Sequence, residues 1–470
     1  MARLLAFIWN DYMENINLQE FIGAVGGSFL LGDPHTAVRV ISIDTRTLRR
    51  GDFYFAIKGP QFDGHDFLKQ AIEKQAGGLV ISRKDIDLGN PFPAFPAMIQ
   101  VNDTTQALGD IAAFYRKKWS IPVVGITGSN GKTTTKEMLA SILRQSAPTL
   151  STVGNLNNLI GVPLTLLQLS SNHRYAVVEM GSSLFGEIKK LAAISRPTIG
   201  IITNIGYTHL ENFINLEGVL AEKKALLDAL PEEGCAVINA DDLHLSKLTT
   251  QLHCAVRTFG LYKGADAYAE YIQLWPDKPS FELNIQGKKI KILMPVYGKF
   301  NIYNALAAAA AAGWMGIDIE TIKKGLEHFI SPGMRMETHT LKNGALVIND
   351  AYNANPSSIK ESVQGMITAF PERPKIVVLG DMLELGTDAA KYHAKLGEFL
   401  AMQPLEKIFL FGPLMEAAAN RLDPSLVRHF MHPGELEIEL KKTLASDVVV
   451  LFKGSRGMHL EEIFRRVTGE

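Results

Sequence analysis

The stretch Pro122-Val-Val-Gly-Ile-Thr-Gly-Ser-Asn-Gly-Lys-Thr-Thr-Thr-Lys136 decides how the rest of the chain is read. A short apolar run opens it, glycines fall at Gly125, Gly128 and Gly131, and Lys132 and Thr133 follow. Beyond them Met138, Leu139, Ile142 and Leu143 share one helical face. Strand, glycine turn and helix together form the context in which backbone N–H groups curl inward around phosphate oxygens. The helix N-terminus adds partial positive charge. Lys132 then neutralises the β- and γ-phosphates, and the Thr133 hydroxyl sits on Mg²⁺. The general pattern asks for glycine at position 126; this chain has Ile126, so its spacing is the narrower GxxGxxGKT. The plainer alternative is a glycine-rich turn that happens to precede a lysine. With GKT, strand and helix all in place, that alternative is disfavoured.

On either side the chain alternates strands with helices. Before the loop, short apolar runs broken by turns (AVRVISIDTR, GDFYFAIKG, GGLVIS, AMIQV, with a helical HDFLKQAIEKQA between two of them) predict a small α/β unit. Residues 103–119 predict an amphipathic helix capped by Asp103 or Thr104. After the loop, YAVVEM, TIGIITNI and CAVIN predict buried parallel strands, and NALAAAAAAGWMG predicts a close-packing helix. Ser331-Pro332-Gly333 marks a boundary. ALVINDAY, KIVVLGDM, KIFLFG and DVVVLFKGS then predict a third, doubly wound α/β unit. The expected architecture is α/β in three domains, 1–102, 103–331 and 332–470, the middle one a P-loop domain with a largely parallel sheet and the last Rossmann-like. Hinges near 102 and 331 would let such a chain close over a reactive intermediate.

Bulk composition narrows the class. A chain of 470 residues suggests three domains at about 150 residues each. Formal net charge is −1 and no long Lys/Arg run occurs, which argues against nucleic acid and anionic membrane as partners. Cys235 and Cys254 stand outside any CxxC or Cys/His cluster, so they read as reduced thiols of a cytoplasmic enzyme. Leu4–Trp9 is too short to span a bilayer, and acidic residues follow it; Met13 is an alternative start, with residues 1–12 a weakly ordered extension.

Three further residues carry chemistry less plainly. Glu179 ends the strand Tyr175–Val178, where a carboxylate at a parallel sheet's C-terminal edge suits Mg²⁺; alone, a solvent-facing acid is an equal reading. His209 follows TIGIITNI in the same way, but a lone histidine is more often structural, and imidazole is an unusual Mg²⁺ ligand. Lys223 on its own reads as a solvated helix charge.

GITGSNGKTTTKEML, VVEMGSS, NIGYTHLENF, GKFNIYNALAAAAAAG, INDAYNANPSS, VLGDMLELG and LFKGSRG occur in that order. Together they resemble the Mur ligase family, and SIDTRTLRRGDFYFAIKGPQFDGHDF (residues 42–67) resembles the family's UDP-binding front domain. Asn353-Ala-Asn355-Pro356 and GNLNNLIGVPLTLL (154–167) are similar to the dipeptide-adding members, and the DNPR motif of the diaminopimelate-adding members is absent. The resemblance implies ATP-dependent ligation of D-alanyl-D-alanine to UDP-N-acetylmuramoyl-tripeptide through an acyl phosphate, for peptidoglycan synthesis. It implies ATP and two Mg²⁺ as cofactors, small-molecule partners and a monomer.

Carried over by position, the resemblance gives ATP the loop residues Gly128, Ser129, Asn130, Gly131, Lys132, Thr133 and Thr134. Asn304 goes near adenine, Arg335 to the phosphates and Asp350 near the ribose. Thr133, Glu179, His209 and Lys223 are given to the metals, Lys223 as a carbamate. Thr45, Arg46, Asp63 and His65 are given to the UDP part, and Asn155 and Asn158 to the same substrate. Lys453, Ser455 and Arg456 are given to the carboxylate of the incoming dipeptide, and Asn353 and Asn355 of the shared motif to substrate. Two positions depart from the family pattern: Phe300 where histidine is usual, and Gly181-Ser182-Ser183 where Gly-Ala-Asn is more frequent. Competing readings are the ligase that adds the third residue, a P-loop regulatory switch, a silent Mur-like binding protein and folylpolyglutamate synthase.

Overall fold

The computed structural model describes residues 13–86, 96–275 and 279–469. The expectation for residues 1–12 lies outside them. The fold is α/β in three domains, and among the described residues the first and last are built on sheets of five and six strands. By internal contacts the chain divides into two compact units, 1–125 with 147–181 and 187–198, and 126–146 with 182–186 and 199–470.

In the first unit the five-stranded sheet runs Ser28–Leu31, Ala97–Gln100, Gly78–Ile81, Phe53–Phe55, Ile41–Ser42. All its pairs are parallel except the edge pair of Ser28–Leu31 with Ala97–Gln100. Tyr54, Leu79 and Ile81 bury one face against the helix Leu68–Glu73 through Leu68, Ala71 and Ile72. The helix expected over HDFLKQAIEKQA is shorter than its pattern. A 3₁₀ turn, Gly64–Phe67, precedes it, and Gln75 at φ 60° follows it. Asp103 caps Thr104–Arg116, accepting from the N–H groups of Thr105 and Gln106 at 2.7 and 2.9 Å. Within this unit Thr149–Ser151 also runs parallel to Tyr175–Glu179.

In the second unit Ile199–Ile202, Cys235–Asn239, Ala255–Gly260 and the start of Ala267–Gln273 run parallel. Ala267–Gln273, Ser280–Ile285 and Lys288–Leu293 then continue the sheet as an antiparallel meander that the strand–helix alternation had not suggested. Lys132–Ser146 packs against two helices, Lys299–Trp314 and Ile319–Glu327. The alanine run Ala305–Ala312 is buried throughout, which allows that close approach.

The C-terminal sheet runs Glu337–Thr340, Leu346–Asn349, Val449–Lys453, Lys375–Gly380, Lys407–Phe411, Val427–Phe430, parallel apart from the first strand. Its continuous apolar strands supply both faces, because successive side chains alternate. Val377, Leu379 and Leu451 join Ile359, Val363 and Leu396 on one side. Ile376, Val378 and Phe452 join Leu436, Ile463 and Phe464 on the other. Phe300 packs against the first of these cores.

Candidate active site

Val123–Thr127 ends at Gly128, and Lys132 opens the next helix, so the glycine turn has the place expected of it. Gly128 has φ 142° and Gly131 φ 81°. A Cβ at Gly128 would lie 2.0 Å from Thr203 Oγ1, and one at Gly131 would lie 2.3 Å from Asn304 Oδ1. Only glycine fits both the backbone angle and the space. The loop is braced from the segment after Ile199–Ile202. Ser129 N–H donates to Asn204 O at 3.0 Å and Asn130 N–H to Asn204 Oδ1 at 2.9 Å. Thr203 Oγ1 donates to Asn130 O at 2.5 Å. Ser129 Oγ both donates to Gly206 O and accepts from Gly206 N–H. Lys132 Nζ donates to Gly128 O and Ser129 O at 2.7 and 3.1 Å. Thr134 is buried and Thr133 half-buried at the helix start. Asn304, expected near adenine, lies buried against the loop, accepting from Thr135 Oγ1 and donating to Asn301 Oδ1.

His209 has a left-handed backbone, φ 49°, and its Nδ1 lies 2.7 Å from Glu384 Oε2 of the C-terminal domain. The contact holds the Glu384 carboxyl below its usual range, chiefly through this hydrogen bond. Leu210 beside it belongs to the C-terminal core. Lys223 corrects the solvated reading: it is 1% exposed, because it sits on the inner face of Leu216–Asp228 with Val219, Leu226 and Leu227. Its ammonium donates to Ser182 Oγ at 2.7 Å and lies 5.6 Å from the centre of the Phe213 ring. Ser182 is thus a functional candidate within the departing Gly181-Ser182-Ser183 segment.

In the C-terminal domain, Asp350 ends a strand and is buried, accepting from Lys453 Nζ at 2.5 Å and from Ser362 Oγ at 2.6 Å. Lys453 also donates to Asn353 O. Ser455 Oγ accepts from Leu383 N–H and donates to Ala354 O. Of the three groups expected on the dipeptide carboxylate, Arg456 alone keeps a largely exposed guanidinium, paired at one nitrogen with Glu461 at 3.0 Å. The Arg335 guanidinium stacks 4.0 Å from the centre of the Tyr352 ring. Asn353 is exposed. Asn355 caps Pro356–Ala369 and reaches Asn130.

In the first unit Glu179 is 2% exposed, which disposes of the solvent-facing alternative. Its Oε1 accepts from Asn157 Nδ2 at 2.8 Å, so the asparagine that holds it lies between the two expected, Asn155 and Asn158. A cavity of about 1020 Å³ opens in the same unit, and Thr45, Arg46 and Asn158 line it. Arg49 and Arg50 line it too, a cationic addition the motif reading passed over. Its apolar part includes Ile41, Phe62, Leu156 and Ile160. Arg46 pairs with Asp44 at 2.6 Å. Asp63 and His65 are engaged elsewhere: Asp63 pairs with His65 and Arg83, and His65 Nε2 accepts from Ser82 N–H at 2.9 Å.

The donors fit the groups the resemblance implies. The glycine cradle suits a polyphosphate. A buried carboxylate and a hydroxyl at a helix start are the hard oxygen donors Mg²⁺ takes. Among the described residues no cluster of three or more His, Cys, Asp or Glu is grouped as for a metal. Cys235 and Cys254 are free and buried, and no helix among the described residues is long and apolar enough to cross a membrane.

Comparison with known proteins agrees in sequence and in shape. Three family models match: the Mur ligase catalytic domain over 37–116, the Mur ligase middle domain over 126–312, and the Mur ligase glutamate ligase domain over 334–456. The UDP-N-acetylmuramoyl-tripeptide–D-alanyl-D-alanine ligase of Bacillus subtilis is 35% identical over 434 residues, 92% of this chain and 93% of that one. A crystal structure of MurF from Acinetobacter baumannii superposes with a TM-score of 0.90 at 33% identity, covering 97% of this chain and all of that one. The MurF ligase of Thermotoga maritima in complex with ADP gives 0.82 at 27% identity, covering 92% of this chain and 97% of that one. With loop, braces and relatives in agreement over nearly its whole length, the chain belongs to the Mur ligase family.

Proposed function

We propose that this enzyme joins D-alanyl-D-alanine to UDP-N-acetylmuramoyl-tripeptide at the expense of ATP, in the cytoplasm. The observation that carries the reading is the end-to-end similarity to ligases named for that reaction, 92% of this chain against 93% of the relative. The domains 1–102, 103–331 and 332–470 then take the UDP end, the nucleotide and the dipeptide.

A carboxylate is a poor acyl donor, so it must first be activated. A carboxylate oxygen of the tripeptide bonds to the γ-phosphorus, and the bridging P–O bond to ADP breaks. The dipeptide amine then attacks the acyl carbon, inorganic phosphate leaves, and the amine gives up a proton. The first step brings two anions together. Lys132 would exchange its loop carbonyl partners for phosphate oxygens, and the loop N–H groups would hold them. Arg335, oriented by the Tyr352 ring, would take charge developing on the transferred group. Arg456 is suited to the dipeptide carboxylate, since a guanidinium pairs with it through two hydrogen bonds.

Thr133, Glu179, His209 and a carbamylated Lys223 are the residues this reading gives to two Mg²⁺. Mg²⁺ would supply charge neutralisation on the phosphates. The buried Lys223 Nζ against a hydroxyl is a setting in which a carbamate would have a hydrogen-bond donor.

The test is direct. The enzyme is supplied with ATP, Mg²⁺, D-alanyl-D-alanine and UDP-muramoyl-tripeptides, and the product is identified by mass. A UDP-muramoyl-pentapeptide with one ADP per product is expected. Preference for diaminopimelate or lysine onto a dipeptide precursor, or ATP turnover independent of any acceptor, would overturn the reading.

A further inference from the structure

Asn130 lies inside the phosphate loop, yet its side chain is committed to the C-terminal domain. Asn355 Nδ2 donates to Asn130 Oδ1 at 2.8 Å, Asn130 Nδ2 donates to Ser357 Oγ at 3.0 Å, and Ser357 Oγ donates to Asn355 Oδ1 at 2.9 Å. The three side chains close a ring in which each donates once and accepts once, the arrangement in which hydrogen bonds polarise one another. Both sides of the ring are rigidly held. Asn130's main chain is fixed by Thr203 and Asn204. Asn355 is the N-cap of Pro356–Ala369, accepting from Ser358 N–H at 2.9 Å in a capping box with proline at the helix start.

We propose that this ring is a latch: Asn130, Asn355 and Ser357 couple the shape of the phosphate loop to the docking of the C-terminal domain. The proposal rests on the nucleotide reading of the loop. It assigns Asn355, one of the two asparagines of the Asn353-Ala-Asn355-Pro356 motif, to positioning and not to contact with substrate. Phosphate held by the loop bears on Asn130, and so on the two bonds its side chain makes to Asn355 and Ser357. By linkage, docking must then alter nucleotide affinity by the same factor that nucleotide alters docking.

Two variants test it without removing the helix cap. Ser357→Ala deletes one ring member and leaves Asn355 on Ser358 N–H. Asn355→Ser keeps a capping oxygen but has no amide to reach Asn130. ADP binding is measured by calorimetry, and hydrogen exchange of the amides in 357–362 is followed with and without ADP. In the unsubstituted chain ADP changes exchange there as well as in 128–135; the change in 128–135 tests the nucleotide reading separately. In both variants the ADP dissociation constant shifts by about five-fold or more, and the ADP-dependent change in 357–362 disappears. A merely structural ring would lower the melting temperature and leave both quantities as they were. Unchanged ADP affinity, or an unchanged response of 357–362 to ADP, in either variant would overturn the latch.

Discussion

Lys132 shows how little of a residue's role its resting contacts reveal. Its ammonium donates to carbonyls of its own loop, Gly128 and Ser129, and neither bond holds the core together. Lys132→Ala should therefore melt close to the parent, while turnover at saturating ATP falls by roughly a hundred-fold or more; near-normal turnover would sink the phosphate-loop assignment. Lys223 is the opposite case, a buried side chain whose removal leaves a cavity. Lys223→Ala should be nearly inactive, and short carboxylic acids should restore part of the rate by supplying oxygen ligands. A fully active, unrescued variant would exclude the carbamate. Glu361 gives a pH dependence. Burial pushes its carboxyl up to about 7, Lys453 pulls it down and Asp350 pushes it further up. The folded pKa exceeds the ordinary 4.5, so the native state holds a proton that the unfolded state has lost. This group's contribution to stability is complete below about 4.5 and is lost as pH rises through about 7. Glu361→Gln should raise the melting temperature relative to the parent above about pH 7 and not below about 4.5. A difference independent of pH would show that Glu361 does not titrate in that window.

Among the elements, the helix Lys132–Ser146 matters most, since its first residue is Lys132. Its register is set by two helices packed against it. A Cβ on Gly325, in Ile319–Glu327, would come within 2.3 Å of Ile142 Cα, a backbone atom that cannot swing aside. Gly325→Ala should cost about 1–3 kcal/mol in a denaturant melt. By shifting the helix it should also weaken ADP binding, whereas an exposed-glycine replacement in a helix would stabilise. Unchanged stability would mean that the two helices slide apart freely.

At the scale of the molecule, the proposed function gives the domains different substrates. Arg456 is in the last one, so Arg456→Ala should raise the KM for D-alanyl-D-alanine by about ten-fold or more and leave that for ATP nearly alone, judged from a charged hydrogen bond's usual worth. Equal changes in both constants would mark a structural arginine. Local chemistry alone determined much of this protein. The glycine spacing before Lys132 called for a phosphate loop, and apolar runs such as Lys375–Gly380 called for strands buried on both faces, because turn geometry and side-chain alternation act over a few residues. The tertiary structure decided what depends on distant neighbours. It buried Lys223, gave Glu179 to Asn157, brought Asn355 to Asn130, and paired His209 with Glu384. No periodicity records such pairings, since burial and hydrogen-bond partners are fixed by chain segments as far as 227 positions apart that meet only when the sheets and helices pack.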